Sequence, residues 1–263
     1  MDFEVALLAM PLAVPNKCGV MTPQKANWRS ECAMQVIGLI GGMSWESTLE
    51  YYRIINQTFR ERLGGQHSAK ILLYSVDFQE IETMQRDSRW EEAGRCLADA
   101  AGRIERGGAD FVLLCTNTMH RVAPQIQEAV SIPLLHIADA TAEEVKAAGL
   151  THVGLLGTRF TMEQDFYRER MESRHSLRVT IPDEKARAAV HRIIYEELCL
   201  GRIREVSKST MVRIIEDLIG AGAEGVVLGC TELSLLVRPE DLRIAAFDTT
   251  RIHARKAVDW ALE

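Results

Sequence analysis

Two short stretches of the chain end an apolar run in reactive side chains. Residues 111–120 read FVLLCTNTMH, and residues 225–234 read GVVLGCTELS. A thiol, with an ordinary pKa of about 8.5, can exchange a proton near neutral pH. A hydroxyl is a far poorer base but can relay or donate one. A helix opening just after each turn would add free backbone N–H groups and the positive end of its dipole. Such an environment binds a carboxylate and lowers a thiol's pKa. Facing each other across a cleft, the two turns would cradle an anion between one acid/base group above and one below. Removing a proton from one face of a carbon and returning one to the other inverts that carbon. The pattern therefore points to racemisation or epimerisation without a cofactor.

Strands must carry these turns, and short apolar runs supply them: 35–41, 70–76, 110–115, 133–137, 152–157, 177–181, 225–229 and 243–247. Their continuous hydrophobicity suits strands buried on both faces of a parallel sheet. Helical stretches lie between them. In 89–106 the apolar positions Trp90, Ala93, Leu97, Ala100 and Ile104 recur at helical spacing, and Gly107-Gly108 ends the run. The alternation predicts an α/β fold with mainly parallel sheets. The chain also resembles itself: VIGLIG at 36–41 matches HVGLLG at 152–157, and GGADFVLLCT matches GAGAEGVVLGCT. An offset of roughly 115 residues is too long for a solenoid repeat. It fits two similar lobes related by a pseudo-two-fold, with a ligand in the cleft between them. The expected division is 34–132 plus 248–263 for lobe one and 133–247 for lobe two.

The composition is that of a soluble globular protein, with 47% hydrophobic and 26% charged residues in 263. A net charge of −6 argues against a nucleic-acid or anionic-membrane surface. No apolar run approaches the 18 or so residues of a membrane span. The six cysteines lack metal-ligand spacing, so reduced thiols in a cytoplasmic protein are expected. Residues 1–33 differ from the rest and read as an extension of unknown order. Asp2 and Glu4 stand where an export signal wants basic residues.

GLIGGMSWEST at 38–48, the T-N-T-x-H turn at 116–120 and GCTE at 229–232 together resemble the aspartate/glutamate racemase superfamily, over essentially all of 34–263. The similarity is to the branch of aspartate racemases and L-aspartate/glutamate-specific racemases. That family's first turn usually reads Cys-Asn-Thr. Here Asn117-Thr118 sets the register, so the catalytic position falls on Thr116, and Cys115 comes one residue early. Because strand side chains alternate, Cys115 should then turn away from the cleft. Cys230 matches the family's second cysteine. The resemblance thus implies Thr116 and Cys230 as the acid/base pair, with Cys230 handling the proton of the L enantiomer. Free D and L isomers have equal energies, so any apparent L-specificity must come from unequal kcat and KM.

The same resemblance implies that Met43 and Ser44 face the cleft, and that Asn117, Thr118 and Thr231 bind the α-carboxylate and amine. Gln85, in a polar loop at 79–89, would reach over the substrate. Gly38, Gly41 and Gly42 lack the dinucleotide spacing and suit either a tight turn or ligand contact. An acidic substrate needs a cation, for which Arg86, Arg159 and Arg168 are candidates. Cys199 falls where some aspartate-specific members carry a lysine. His120 reads as a structural partner near a helix start, and His136 and Asp139 as a pair at the crossing between lobes. Trp45, Tyr51 and Tyr52 read as packing at the start of the first helix. No pyridoxal phosphate, no other cofactor and no metal are expected, and relatives' habits imply a homodimer. The alternatives are a broad-specificity racemase, a maleate- or hydantoin-type isomerase, and a non-catalytic amino-acid-binding module.

Overall fold

The computed structural model describes residues 34–263. Cys18, Cys32 and the extension at 1–33 lie outside the described residues. The first half runs β1 (Ile37–Gly41), α1 (Trp45–Leu63), β2 (Ile71–Ser75), α2 (Phe78–Arg86), α3 (Trp90–Arg106) and β3 (Phe111–Leu114). It continues through a 3-10 turn (Thr118–Val122) to α4 (Ala123–Glu128), β4 (Leu134–Leu135) and α5 (Ile137–Ala147). The second half runs β5 (His152–Gly157), α6 (Arg159–Glu163), α7 (Asp165–His175), β6 (Arg178–Thr180) and α8 (Glu184–Glu196). Then follow α9 (Glu205–Gly220), β7 (Gly225–Gly229), α10 (Leu233–Leu236), β8 (Ala245–Asp248) and α11 (Thr249–Leu262).

The strands form two parallel four-stranded sheets, ordered β2-β1-β3-β4 and β6-β5-β7-β8. The order is the same in both, as the internal resemblance of the sequence requires. Expected burial on both faces holds for the inner strands β1, β3, β5 and β7. It fails for β2, where Leu73 and Tyr74 are exposed, because an edge strand has a neighbour on one side only. The expected strand at 133–137 shrinks to two residues, since the chain turns at His136 to begin α5.

Side chains on the central strands sort by alternation into separate cores. Ile37 and Leu39, with Phe111, Leu113 and Cys115, pack against Tyr51, Ile55 and Phe59 of α1 and Ala254, Ala257 and Val258 of α11. Ile40, Val112 and Leu114 point the other way, against Leu97, Ala101 and Ile104 of α3. The second sheet repeats this arrangement: Val226 and Leu228 face α8 and α9, while Val227 faces α5 and α7. Each fully buried side chain of this size contributes about 1.5–3 kcal/mol.

Local signals set the helix ends. Ser44 caps α1 by accepting from the Ser47 N–H, and Gly64 ends it at φ 74°. Tyr51 is buried, but Trp45 and Tyr52 stand on the outer face of α1 and are exposed, contrary to the packing expected of them. Gly42 sits at φ 92°, and a Cβ there would overlap the Val76 carbonyl oxygen. Close backbone approach, rather than ligand contact, is thus what this glycine serves.

Candidate active site

Each sheet delivers its loops to one cleft from the carboxyl ends of its strands. Ser44 follows β1, Thr116 follows β3, Thr158 follows β5 and Cys230 follows β7; all four line the cleft. Met43, Gln85, Asn117, Thr118 and Thr231 line it as well, so the eight residues expected from the sequence converge on one space. That space is narrow, with a volume of about 60 Å³.

Neighbouring residues in the first turn go opposite ways. Thr116 opens on the cleft, whereas Cys115 is fully buried among Tyr51, Phe111 and Leu113. Burial raises the Cys115 thiol pKa far above its usual value. Among the described residues, no protein group bonds the Thr116 hydroxyl. Its backbone is held at both ends: its N–H donates to Leu114 O at 2.8 Å, and its carbonyl lies 2.7 Å from His120 Nδ1.

In the second turn the Cys230 thiol is 3.0 Å from Glu232 Oε2. Burial pushes its pKa well up; the Glu232 charge, the bond to that carboxylate and the nearby Cys199 add to the rise. A thiol lowered by a helix dipole was expected, and the structure gives the reverse. Burial is the main reason, and local geometry adds to it: α10 is four residues long, and a carboxylate stands beside the sulfur. The helical segment after the first turn is likewise short, a five-residue 3-10 turn.

Gln85 also departs from expectation. It belongs to α2 rather than to a loop, is buried, and directs Nε2 to Met119 Sδ at 2.9 Å. The Asn117 amide is oriented by a chain of bonds. The Thr249 hydroxyl donates to Leu228 O at 2.9 Å, so it accepts from Asn117 Nδ2 at 3.0 Å. Asn117 Oδ1 is then left buried without a partner among the described residues, an acceptor available to an ammonium group. Hydroxyls tie the two sides together: Thr118 Oγ1 is 3.1 Å from Thr158 Oγ1, and Thr231 Oγ1 is 3.2 Å from Ser47 Oγ.

The remaining wall comes from Phe78, Ile194, Tyr195, Cys199 and Glu232. Glu232 belongs to the GCTE motif, where residue type alone assigns it no chemistry. Its position two residues after Cys230, in a tight turn, was the signal that its carboxylate could fold back on the thiol. Tyr195 carried no local motif. Its phenol pKa is raised by burial and then by Cys230 and Cys199, which keeps it a proton donor. The candidate cations are elsewhere: Arg86 pairs with Glu82, Arg168 pairs with Asp165, and Arg159 is exposed. None lines the cleft, and among the described lining residues Glu232 is the one acidic side chain, with no Lys or Arg beside it. Among the described residues, no group of three or more His, Cys, Asp or Glu side chains is arranged to hold a metal ion.

Known proteins share this arrangement of sheets. A crystal structure of a candidate Asp/Glu racemase from Yersinia pestis is 53% identical, with a TM-score of 0.84, covering 88% of this chain and 100% of that one. An aspartate racemase homologue from Pyrococcus horikoshii is 38% identical, with a TM-score of 0.78 and the same coverage. The broad specificity amino-acid racemase RacX of Bacillus subtilis is 22% identical over 228 residues, 85% of this chain and 96% of that protein. A family model described as Asp/Glu/Hydantoin racemase matches residues 40–257, which takes in most of both sheets and both turns. The chain belongs to that family and is a racemase.

Proposed function

We propose that the chain racemises free α-amino acids without a cofactor, by proton transfer on both faces of Cα. The single observation that supports this most is that Thr116 and Cys230, from turns of two separate sheets, line one narrow cleft while Cys115 does not. In the proposed cycle the Cys230 thiol gives its proton to Glu232, 3.0 Å away. The thiolate then removes the Cα proton. Because burial and a neighbouring carboxylate raise its pKa, this thiolate is scarce but strongly basic. Thr116 delivers a proton to the opposite face; water reprotonates its alkoxide, and the hydroxide so formed takes the proton held by Glu232, which leaves Cys230 a thiol and Glu232 a carboxylate again. Asn117 Oδ1 accepts from the substrate ammonium, while backbone N–H groups of the two turns and the hydroxyls of Ser44 and Thr118 hold the carboxylate.

The lining favours substrates whose side chain carries no negative charge. A distal carboxylate would meet Glu232 and no cation among the described lining residues. The relationship to a broad specificity racemase supports this breadth. Aspartate and glutamate are the second reading, supported by the descriptions of the Yersinia and Pyrococcus relatives. The exposed stripe of Trp45, Leu49 and Tyr52 along α1 supports assembly as a homodimer. Free thiols at Cys96, Cys115, Cys199 and Cys230 support a reducing, cytoplasmic setting.

The test is incubation in deuterated water with L-alanine, L-serine, L-methionine, L-lysine, L-aspartate and L-glutamate, followed by NMR and chiral chromatography. Deuterium at Cα with formation of the D isomer is expected, with kcat/KM for neutral side chains at least equal to that for acidic ones. Exchange confined to aspartate and glutamate would overturn the substrate reading. Tight binding without exchange of any amino acid would overturn the reaction.

A further inference from the structure

The two-face mechanism leaves one buried titratable group beside the first turn unused. The His120 ring is 1% exposed and touches backbone from two parts of the fold. On one side Nδ1 lies 2.7 Å from the Thr116 carbonyl oxygen. A carbonyl only accepts, so Nδ1 must carry the proton. On the other side the Ile137 N–H reaches Nε2 at 3.2 Å. That N–H is a donor, so Nε2 must be bare. The two contacts admit one state of the ring, neutral with the proton on Nδ1.

The surroundings hold that state. His136 stacks edge-on at 4.5 Å and His253 at 5.8 Å between ring centroids. His253 donates from Nε2 to the Leu135 carbonyl oxygen at 2.9 Å and sets Nδ1 2.8 Å from the Tyr51 hydroxyl, and burial lowers its pKa to about 4. Burial first, then His136 and His253, keeps the His120 pKa well below its usual value. A second proton would also set Nε2–H against the Ile137 N–H.

Ile137 opens α5, whose apolar face packs in a core of the second sheet with Val153, Leu155 and Val227. Thr116 sits in the turn that follows β3 of the first sheet. One imidazole thus spans from the turn bearing the hydroxyl to the helix anchored on the other lobe. We infer that His120 is a positioning residue that fixes the height of Thr116 in the cleft, through the bond from Nδ1–H to its carbonyl. The inference rests on the proposed two-face transfer, because its consequence is one-sided. Loss of the bond should impair delivery from the Thr116 face while leaving Cys230 in place.

The experiment uses the full chain in deuterated water, with the L-amino acid of the panel above that the wild type converts fastest. Two products are measured: L substrate that has gained deuterium, from Cys230 returning a solvent deuteron, and the D isomer, from inversion. In His120→Leu the ratio of inversion to retained exchange should fall at least tenfold. His120→Asn should restore most of it, because Asn Nδ2 takes the place of His Nδ1. A ratio unchanged while both products decline would mean a merely structural role and would overturn the inference. So would rescue by His120→Gln but not by His120→Asn, which would shift the function to the Ile137 contact. A measurement on the wild type is independent of whether the variants fold. Heteronuclear NMR of the labelled histidines should find His120 protonated at Nδ1 alone near neutral pH, and protonation at Nε2 overturns the inference. If the wild type neither exchanges nor inverts any amino acid, the reaction itself fails, and the NMR state still decides the geometry claimed for His120.

Discussion

Cys230 Sγ lies 3.0 Å from Glu232 Oε2, so the second turn sets its thiol against a carboxylate rather than a cation. The contact acts in two opposing ways. The negative charge makes the thiolate costly, and the same oxygens offer the thiol proton a destination.

Replacing the carboxylate separates these effects. In Glu232→Gln the Cys230 titration midpoint should move down, though not to the ordinary thiol value, because burial is the larger cause of the rise. Alkylation rate against pH reads the midpoint. Turnover should fall by about 10²-fold or more, as expected for removal of a proton acceptor. An unchanged midpoint would show that the two side chains do not interact in solution.

The first turn gives a prediction of register. Thr116→Ala should lower inversion by about 10²–10⁴-fold without loss of fold. Cys115→Ala should leave inversion within a few-fold of wild type and cost roughly 1–2 kcal/mol of stability, from the small cavity among Tyr51, Phe111 and Leu113. Paired kinetics and urea melts check this. The opposite pattern would move the reactive position to the cysteine.

Much of this was readable in the residues themselves. The repeated strand–turn pattern gave both sheets, and the register implied by the family resemblance at Asn117-Thr118, with alternation of side chains, set Cys115 apart from Thr116. Gln85 was misread as a loop residue because 79–89 is polar in composition. Its helix depends on an Asp77 cap and on Ile81 reaching the core, which is tertiary information. Tyr195 was missed for a similar reason: it enters the cleft from the end of α8, far in sequence from either turn. Glu232 was visible but unassigned, since a glutamate after a threonine carries no chemistry until the turn folds it onto the sulfur.

Charge in the cleft gives a third prediction. Cys199 lines the wall that holds Glu232. Cys199→Lys should place a cation there and raise kcat/KM for L-aspartate relative to L-alanine by about tenfold, the effect of about 1.4 kcal/mol. A relative preference that moves toward alanine would mean the side chain of the substrate does not point at this wall.

Acid stability follows from the buried histidines. His120, His136 and His253 have lowered pKa values, chiefly from burial, His253 to about 4. Below about 6.5 the unfolded chain binds protons that the folded chain refuses, so stability must fall as pH drops. The loss runs from the unfolded value down to the folded one. For His253 that is about 3 kcal/mol across the window, at about 1.4 kcal/mol per pH unit. Carboxylates such as Asp139, which Arg170 and His175 hold down against the effect of burial, act only below about 4. Melting temperature should therefore drop steeply between about pH 6.5 and 4.5. A flat profile there would mean these rings are solvated.

The bond from Asn117 to Thr249 joins positions 132 apart in the chain. Thr249 is the first residue of the last helix, directly after β8. An ammonium engaging the amide oxygen would polarise the same amide whose nitrogen feeds that hydroxyl. Occupancy of the cleft should therefore register at the start of the last helix. A spectroscopic label near its start should sense the arrival of an amino acid that it never touches.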